Sequence, residues 1–327
     1  MSKLVLIDGN AILHRAYHAL PALTTRHGEP INAVYGLVSM LLKVITDLKP
    51  SHIAVCFDRK EPTFRQEMFK NYQAQRPEMD KELSGQFEKA KDTIFAMNIP
   101  IYEKVGFEAD DVIGTLALRA TKISNFQFPI SNVNTNKNIV HHTPHTVHRS
   151  QVDEVVIVTG DRDILQLVTD KVKVYLPVKG LSEAKLFGVE EVKEKMGVLP
   201  SQIPDYKALV GDPSDNYPGI SGIGPKTAEK LLEKYKSFPE IYKHLDEIDA
   251  STKTKLVEKK DDGEMSYKLA KIVTNVEFEN DIEKTNRWQI DSQQVLNLFS
   301  QFGFKTLTKR VKKVGKQIVS ENQGNLF

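Results

Sequence analysis

The chain has 327 residues, 40% of them hydrophobic, with 45 basic and 43 acidic side chains that nearly cancel to a formal charge of +2. That supply of apolar residues suffices for a real core, so global disorder is excluded, and no apolar stretch approaches the length needed to span a bilayer. The single Cys56 excludes an internal disulfide framework and fits a reducing cytosol.

The first apolar run, Leu4-Val5-Leu6-Ile7, reads as a strand and ends on Asp8. The chain opens directly on it, without a charged-then-apolar export signal, so a cytoplasmic location is expected. Residues 33–42 read as a buried helix. A second strand, Ile53-Ala54-Val55-Cys56-Phe57, runs into Asp58. Residues 62–99 carry no strand pattern and mix Phe64, Arg65, Phe69, Lys70, Tyr72 and Arg76 before a helix running towards Met97. On these residues alone a solvated helical pair is preferred to an arch beside a crevice.

Glu108-Ala109-Asp110-Asp111 opens the next helix, where carboxylates suit the positive end of the macrodipole. Helix capping explains one such acid, but three in four residues exceed what capping needs. Helical spacing puts Glu108 and Asp111 on one face and points Asp110 elsewhere. Residues 122–151 break the pattern: Asn132, Asn134, Asn136 and Asn138 precede His141, His142, His145 and His148. Without Cys, acids or an apolar scaffold, this segment reads as a flexible surface insertion rather than a metal site. A third strand, Val155-Val156-Ile157-Val158, leads to Asp161 and Asp163. After about residue 180 strand signals fade and the chain reads as helical and Lys-rich. There Asp212 and Asp215 form a last acidic cluster, with Pro213 suited to the first helical position after an Asp cap.

Strands alternating with helices predict an α/β fold with a parallel sheet covered on both faces. The carboxyl ends of such strands converge on one crevice. Asp8, Asp58, Glu108, Asp110, Asp111, Asp161, Asp163, Asp212 and Asp215 gathered there would repel one another unless cations neutralised them. An oxygen-only set suits hard divalent ions, Mg²⁺ or Mn²⁺, and the expectation is a metal-dependent phosphoryl-transfer site. With the acids in one crevice, the remaining surface is appreciably basic.

The string Gly219-Ile220-Ser221-Gly222-Ile223-Gly224-Pro225-Lys226-Thr227-Ala228 precedes a helix. Closely spaced glycines let backbone N–H groups approach an anion at a helix N-terminus. This is a helix–hairpin–helix signature for gripping a DNA backbone, with Lys226 and Lys230 reinforcing phosphate contact. Its spacing does not match a Walker A loop.

Taken together, LIDGN at 6–10, GEPINAVYG at 28–36, FDRKEPTFR at 57–65, YEKVGFEADD at 102–111, TGDRD at 159–163 and LVGDPSDNYPGISGIGPKTA at 209–228 resemble the 5′-3′ exonuclease and flap endonuclease family. That family includes the 5′-nuclease domain at the start of bacterial DNA polymerase I. The resemblance runs to about Val311, interrupted chiefly by the Asn/His-rich insertion. It implies a PIN-like, resolvase-like α/β domain over residues 1–180, with a helical arch at about 62–90. A helical helix–hairpin–helix domain would follow over 181–311, and a flexible tail over 312–327.

The resemblance also implies two metal sites. Asp8, Asp58, Glu108, Asp110 and Asp111 match the acids around the first ion, and Asp161, Asp163, Asp212 and Asp215 those around the second. Two ions about 4 Å apart serve in-line attack of water on a phosphodiester. Arg15, Arg65 and Arg76 match positions that face phosphate, and Tyr72 one that stacks on a base. Gly222, Gly224, Lys226, Thr227 and Lys230 match the duplex grip, whose carbonyls in the family also bind a monovalent ion, K⁺. Two departures stand out. Gln73 replaces a Lys that supplies positive charge near the scissile phosphate, with Lys70 one turn away as a substitute. His14 replaces a Tyr ahead of Arg15. Gln323, Leu326 and Phe327 resemble the bacterial sliding-clamp-binding pentapeptide.

The expected protein is a stand-alone, monomeric, structure-specific 5′ nuclease acting on DNA with 5′ flaps or 5′ ends, RNA-primed strands included. The rivals are a non-catalytic junction binder on the same fold and, less favoured, a PIN-type ribonuclease, which lacks both arch and helix–hairpin–helix.

Overall fold

The computed structural model describes residues 1–122, 125–126, 147–148, 152–179 and 183–324. Its centre is a six-stranded sheet built from β1 (Lys3–Asp8), β2 (His52–Cys56), β3 (Ile101–Tyr102), β6 (Glu154–Val158), β7 (Val172–Lys179) and β8 (Glu183–Phe187), in the order β3-β2-β1-β6-β7-β8. The short strands β4 (Asn125–Phe126) and β5 (Val147–His148) pair antiparallel with each other, apart from this sheet. All neighbours in the main sheet are parallel except β7 and β8, which form an antiparallel edge.

The apolar runs of the central strands are continuous because both faces are covered. Leu4, Leu6, Ala54, Cys56, Val155 and Ile157 point into one core, while Val5, Ile7, Ile53, Val55, Val156 and Val158 point into the other. On the second side lie α1 (Gly9–Ala19), α2 (Asn32–Leu48) and α4 (Lys81–Ala96). Between them in sequence is the one-turn helix α3 (Phe64–Met68). On the first side α5 (Ala109–Thr121) packs on β1, β2 and β6. The same core continues into α6 (Val189–Met196), α7 (Ile203–Val210), α8 (Pro225–Tyr235), α9 (Phe238–Lys243) and α10 (Ala250–Glu258). The next helix, α11 (Lys260–Ala270), packs along α7.

Three boundaries differ from those expected of the sequence. The divide at residue 180 falls inside the β7–β8 hairpin, so the sheet does not end where strand signals fade. β8 is an exposed edge strand, Glu-Ala-Lys-Leu-Phe, and its charges hide the pattern. The helices α12 (Gln293–Phe302) and α13 (Lys305–Gly324) return to the second side, packing on α4 and α2 respectively. Val311 is fully buried there and Val314 and Ile318 pack beside it, so helix replaces most of the expected 312–327 tail. The span expected as an arch is also divided: Leu83, Ala90 and Ile94 of α4 belong to the core, which leaves residues 69–80 to border the crevice. Apart from residues 122, 125–126 and 147–148, the Asn/His-rich insertion lies outside the described residues, as do the side chains of Gln323, Leu326 and Phe327.

Candidate active site

From β1 the chain proceeds to β2 and β3 on one side, then returns to place β6 on the other. The carboxyl ends of β1 and β6 are therefore a topological switch point, where loops diverge and leave a crevice. Asp8 is the last residue of β1 and caps α1, accepting from the Ala11 amide at 2.9 Å. Its other oxygen accepts from Thr159 Oγ1 at 2.7 Å, just beyond β6. Asp58, beyond β2, accepts from the Ala109 amide at 2.6 Å, which ties it to the start of α5. Asn10 Oδ1 in turn accepts from the Asp58 amide at 2.9 Å. Asp161 accepts from the Asp163 amide at 2.8 Å and lines the crevice with Asp8, Asp58, Glu108, Asp110, Asp163 and Asp215. The cavity measures about 700 Å³.

Crowding shows in the titration. Burial pushes Asp8 up to about 7, and the charges of Asp58 and Asp161 add to it. Asp58 is also raised by desolvation. Asp110 is raised further, by burial and then by Asp161, Asp8, Glu108 and Asp58. Glu108 reaches about 7 through burial, although Arg65 pulls it down. The ion pairs of Arg65, Arg76 and Lys207 go to Glu108, Asp111, Asp163, Asp212 and Asp215.

A second group forms where the start of the 3-10 turn Asp163–Leu167 meets the loop after α7. Carboxylate oxygens of Asp163, Asp212 and Asp215 lie within 4.8 Å of one another. Lys207, from α7, donates to both Asp163 and Asp212. Asp212 also accepts from the Ser214 amide at 2.8 Å and its hydroxyl at 2.5 Å. Burial would raise Asp212, but Lys207 and Ser214 outweigh it and hold the carboxyl below its usual value. Asp163, despite Lys207, is pushed to about 7 by burial and the nearby Asp161. Asp215 accepts from Arg76 Nη2 at 2.6 Å, Gln73 Nε2 at 3.2 Å and the Tyr72 hydroxyl at 3.2 Å. The Gln73 amide donates to the Asp215 carbonyl at 3.0 Å, and Asn216 Nδ2 to the Asn71 carbonyl at 2.8 Å. Residues 69–76 are thus pinned across the crevice onto the 212–217 loop.

Five expectations about side chains change. Asp111, fully buried, turns away from the crevice and binds Arg65 through both oxygens, at 2.7 and 2.9 Å. The Val273 and Glu108 amides complete its shell. Asp110, expected to point elsewhere, is the one that faces Asp8 and Asp161. Arg65 is 2% exposed and directs its remaining donors to Glu108 and the carbonyls of Leu269 and Lys271, a structural post rather than a phosphate contact. Tyr72 is 4% exposed, with its hydroxyl shared between Glu108 and Asp215, so its ring is not open for stacking. Lys70 is exposed and stands outside the crevice lining, whereas Arg15, His14, Gln73 and Arg76 border it.

Sequence reasoning missed Thr159, Asn10 and Lys207. Thr159 sits within TGDRD and Lys207 five residues ahead of Asp212, but nothing in their own types marks them. At the hairpin, Gly222, Gly224, Lys226 and Lys230 are exposed around the N-terminus of α8, with Thr227 half-buried. The Gly222 carbonyl accepts from Lys255 Nζ at 3.0 Å.

Residues 3–135 match the family model of the 5′-3′ exonuclease N-terminal resolvase-like domain, and residues 198–293 that of the 5′-3′ exonuclease C-terminal SAM fold. The chain is 40% identical over 311 residues to DNA polymerase I of Caldicellulosiruptor bescii, covering 94% of this chain and 33% of that protein. With DNA polymerase I of Bacillus subtilis it shares 38% identity over 310 residues, 94% of this chain and 32% of the other. It thus spans about a third of the length of these relatives. Among solved structures, the T5 D15 protein co-crystallised with metal ions aligns with a TM-score of 0.61 at 19% identity, covering 96% and 99% of the two chains. Human GEN1 in complex with Holliday junction DNA aligns at 0.54 and 13%, covering 93% and 67%. At these identities the structural likeness concerns the fold.

Proposed function

Because this chain belongs to the 5′-3′ exonuclease family, we propose that it is a structure-specific 5′-3′ exonuclease and flap endonuclease. It would hydrolyse phosphodiesters at 5′ ends and 5′ flaps of DNA, RNA-primed strands included, in primer removal, replication and repair. The observation that carries the reading is the meeting of Asp8, Asp58, Asp110 and Asp161 at the switch point of the sheet.

This donor set fits hard divalent cations: it is all oxygen, closely spaced, and burial together with the neighbouring carboxylates raises its carboxyl pKa values. Asp8, Asp58, Glu108 and Asp110 would hold one Mg²⁺ or Mn²⁺ and Asp163, Asp212 and Asp215 a second; Asp161, matched by the resemblance to the second, moves to the first because its charge acts on Asp8 and Asp110. Bound there, such ions supply Lewis acidity to a phosphoryl oxygen and to an attacking water. The chain's own groups do the positioning. Thr159 and the Ala11 amide hold the two oxygens of the Asp8 carboxylate. Arg76, half exposed, lies at the mouth, where its guanidinium can exchange Asp215 for a phosphate in bidentate fashion. Arg15 borders the same opening. Gln73 offers a hydrogen bond there without charge.

The hairpin before α8 would hold the duplex: Gly222 and Gly224 allow close backbone approach, and Lys226, Thr227 and Lys230 surround the helix N-terminus. K⁺ at the hairpin carbonyls belongs to the same proposal, in competition with Lys255. A sliding clamp as partner through Gln323, Leu326 and Phe327, a monomeric state and a cytoplasmic location complete it. No helix among the described residues is long and apolar enough to cross a membrane.

Cleavage of an end-labelled 5′-flap duplex tests the central reading. Mg²⁺ should support incision near the flap base, while EDTA or Asp161→Asn should abolish it with binding retained. Tight binding without incision would instead favour a junction binder, and preference for single-stranded RNA a ribonuclease. Deleting 323–327 should abolish clamp association in a pull-down and leave cleavage of naked DNA unchanged; persistent association removes the clamp proposal.

A further inference from the structure

The two acidic groups are not alike. In the first group Asp8, Asp58 and Asp161 accept from hydroxyl and amide groups. The Asp163, Asp212 and Asp215 group instead carries two cationic side chains, Lys207 and Arg76, which offset two of its three negative charges. Arg76 is half exposed, on a segment that borders the opening. Lys207 is different. It is buried at 8% exposure, on the inward face of α7 in the same helix–turn that delivers Asp212. Its ammonium sits between Asp163 and Asp212, the position from which a shared cation would bridge them.

We propose that Lys207 is a resident counter-ion that makes the Asp163, Asp212 and Asp215 group the weaker of the two divalent-ion sites, filled only when the Lys207 ammonium gives way. The inference rests on the metal reading above. An ammonium and a divalent ion cannot both bridge the same carboxylate pair, and at this separation their repulsion is large in a water-poor setting. Lys207 also keeps the two carboxylates apart from open repulsion while no ion is bound, so the loop bearing Asp212 and Asp215 holds its shape. Lys207 bonds to Asp163 and Asp212 and not to the first group, which should bind its ion without moving that ammonium. Lys207 is thus a positioning residue that sets ion affinity, not one that touches the substrate.

The test is calorimetric titration of the DNA-free, full-length protein with MnCl₂, together with thermal melting in EDTA and in excess Mn²⁺. The unaltered protein should show one tight and one weak binding event. Lys207→Met, which keeps the length and removes the charge, should tighten the second event by roughly tenfold or more and leave the first unchanged. Lys207→Arg should keep the second event weak. The Met variant should also melt lower than the parent in EDTA and gain more from Mn²⁺. If Lys207→Met folds poorly, Lys207→Gln, which keeps a donor without charge, is read by the same measure. A second event of unchanged affinity in the uncharged variants overturns the assignment of Lys207 while leaving the metal reading intact. Absence of any Mn²⁺ binding in all forms overturns both.

Discussion

Arg65 and Asp111 meet out of water, 46 positions apart in sequence, joined through both carboxylate oxygens. Removing one partner of such a pair leaves a bare buried charge. Arg65→Met should therefore destabilise the fold by about 3–5 kcal/mol in urea unfolding. Arg65→Met combined with Asp111→Leu should recover much of the loss, which identifies the pair as structural. A single variant with parental stability would contradict this. Gln73 presents the opposite case, a neutral group beside Asp215 at the crevice mouth. Gln73→Lys should raise the single-turnover cleavage rate on a flap substrate, and an equal rate would mean that Arg76 already suffices. The carboxyls of Asp8, Glu108 and Asp163 make a third prediction. Their folded pKa values, about 7, lie above those of an unfolded chain, so the native state binds more protons. Their contribution is fully present below the unfolded values and lost as pH rises through about 7. In EDTA the melting temperature should fall between pH 5 and pH 8, and Mg²⁺ should remove most of that slope. Flat metal-free melting would count against the crowding. Asp8 and Asp58 were legible because strand ends deliver side chains to one place. Asp111 was not: helical spacing reports a face, and only the distant Arg65 decides which face meets the crevice.

At the level of elements, the turn between α7 and α8 depends on two glycines set back to back. Gly211 and Gly219 adopt φ of +75° and +63°, and a methyl group on Gly219 would come within 2.1 Å of the Gly211 nitrogen. Gly219→Ala should cost at least about 2 kcal/mol through strain and displaced backbone. It should also weaken duplex binding in a mobility-shift titration, because the hairpin and the Asp212–Asp215 loop share that contact. Normal binding by a destabilised variant would separate the two. The Gly-rich string is enough by itself to mark this turn, since spaced glycines ahead of a helix have few other uses. β8 and α13 left no comparable trace. The first is a charged edge strand, and the second alternates Lys with apolar residues in a pattern that suits a solvated helix equally well. What settles both is the surface they lie on.

Across the whole molecule, two cores sandwich one sheet, and the second of them joins residues from Val5 to Val311. The parallel sheet and its crevice followed from the alternation of strands and helices, while this long-range closure did not, because periodicity carries no address. The structure predicts one cooperative unfolding transition, with α12 and α13 melting together with α2 and α4. Two resolved calorimetric transitions would show that the returning helices are a separate unit. Their position has a consequence for biosynthesis. The apolar faces of α2 and α4 leave the ribosome some two hundred residues before the helices that cover them. Through that interval the nascent sheet lacks part of its lid, and helper proteins that shield greasy surfaces have a defined window in which to act.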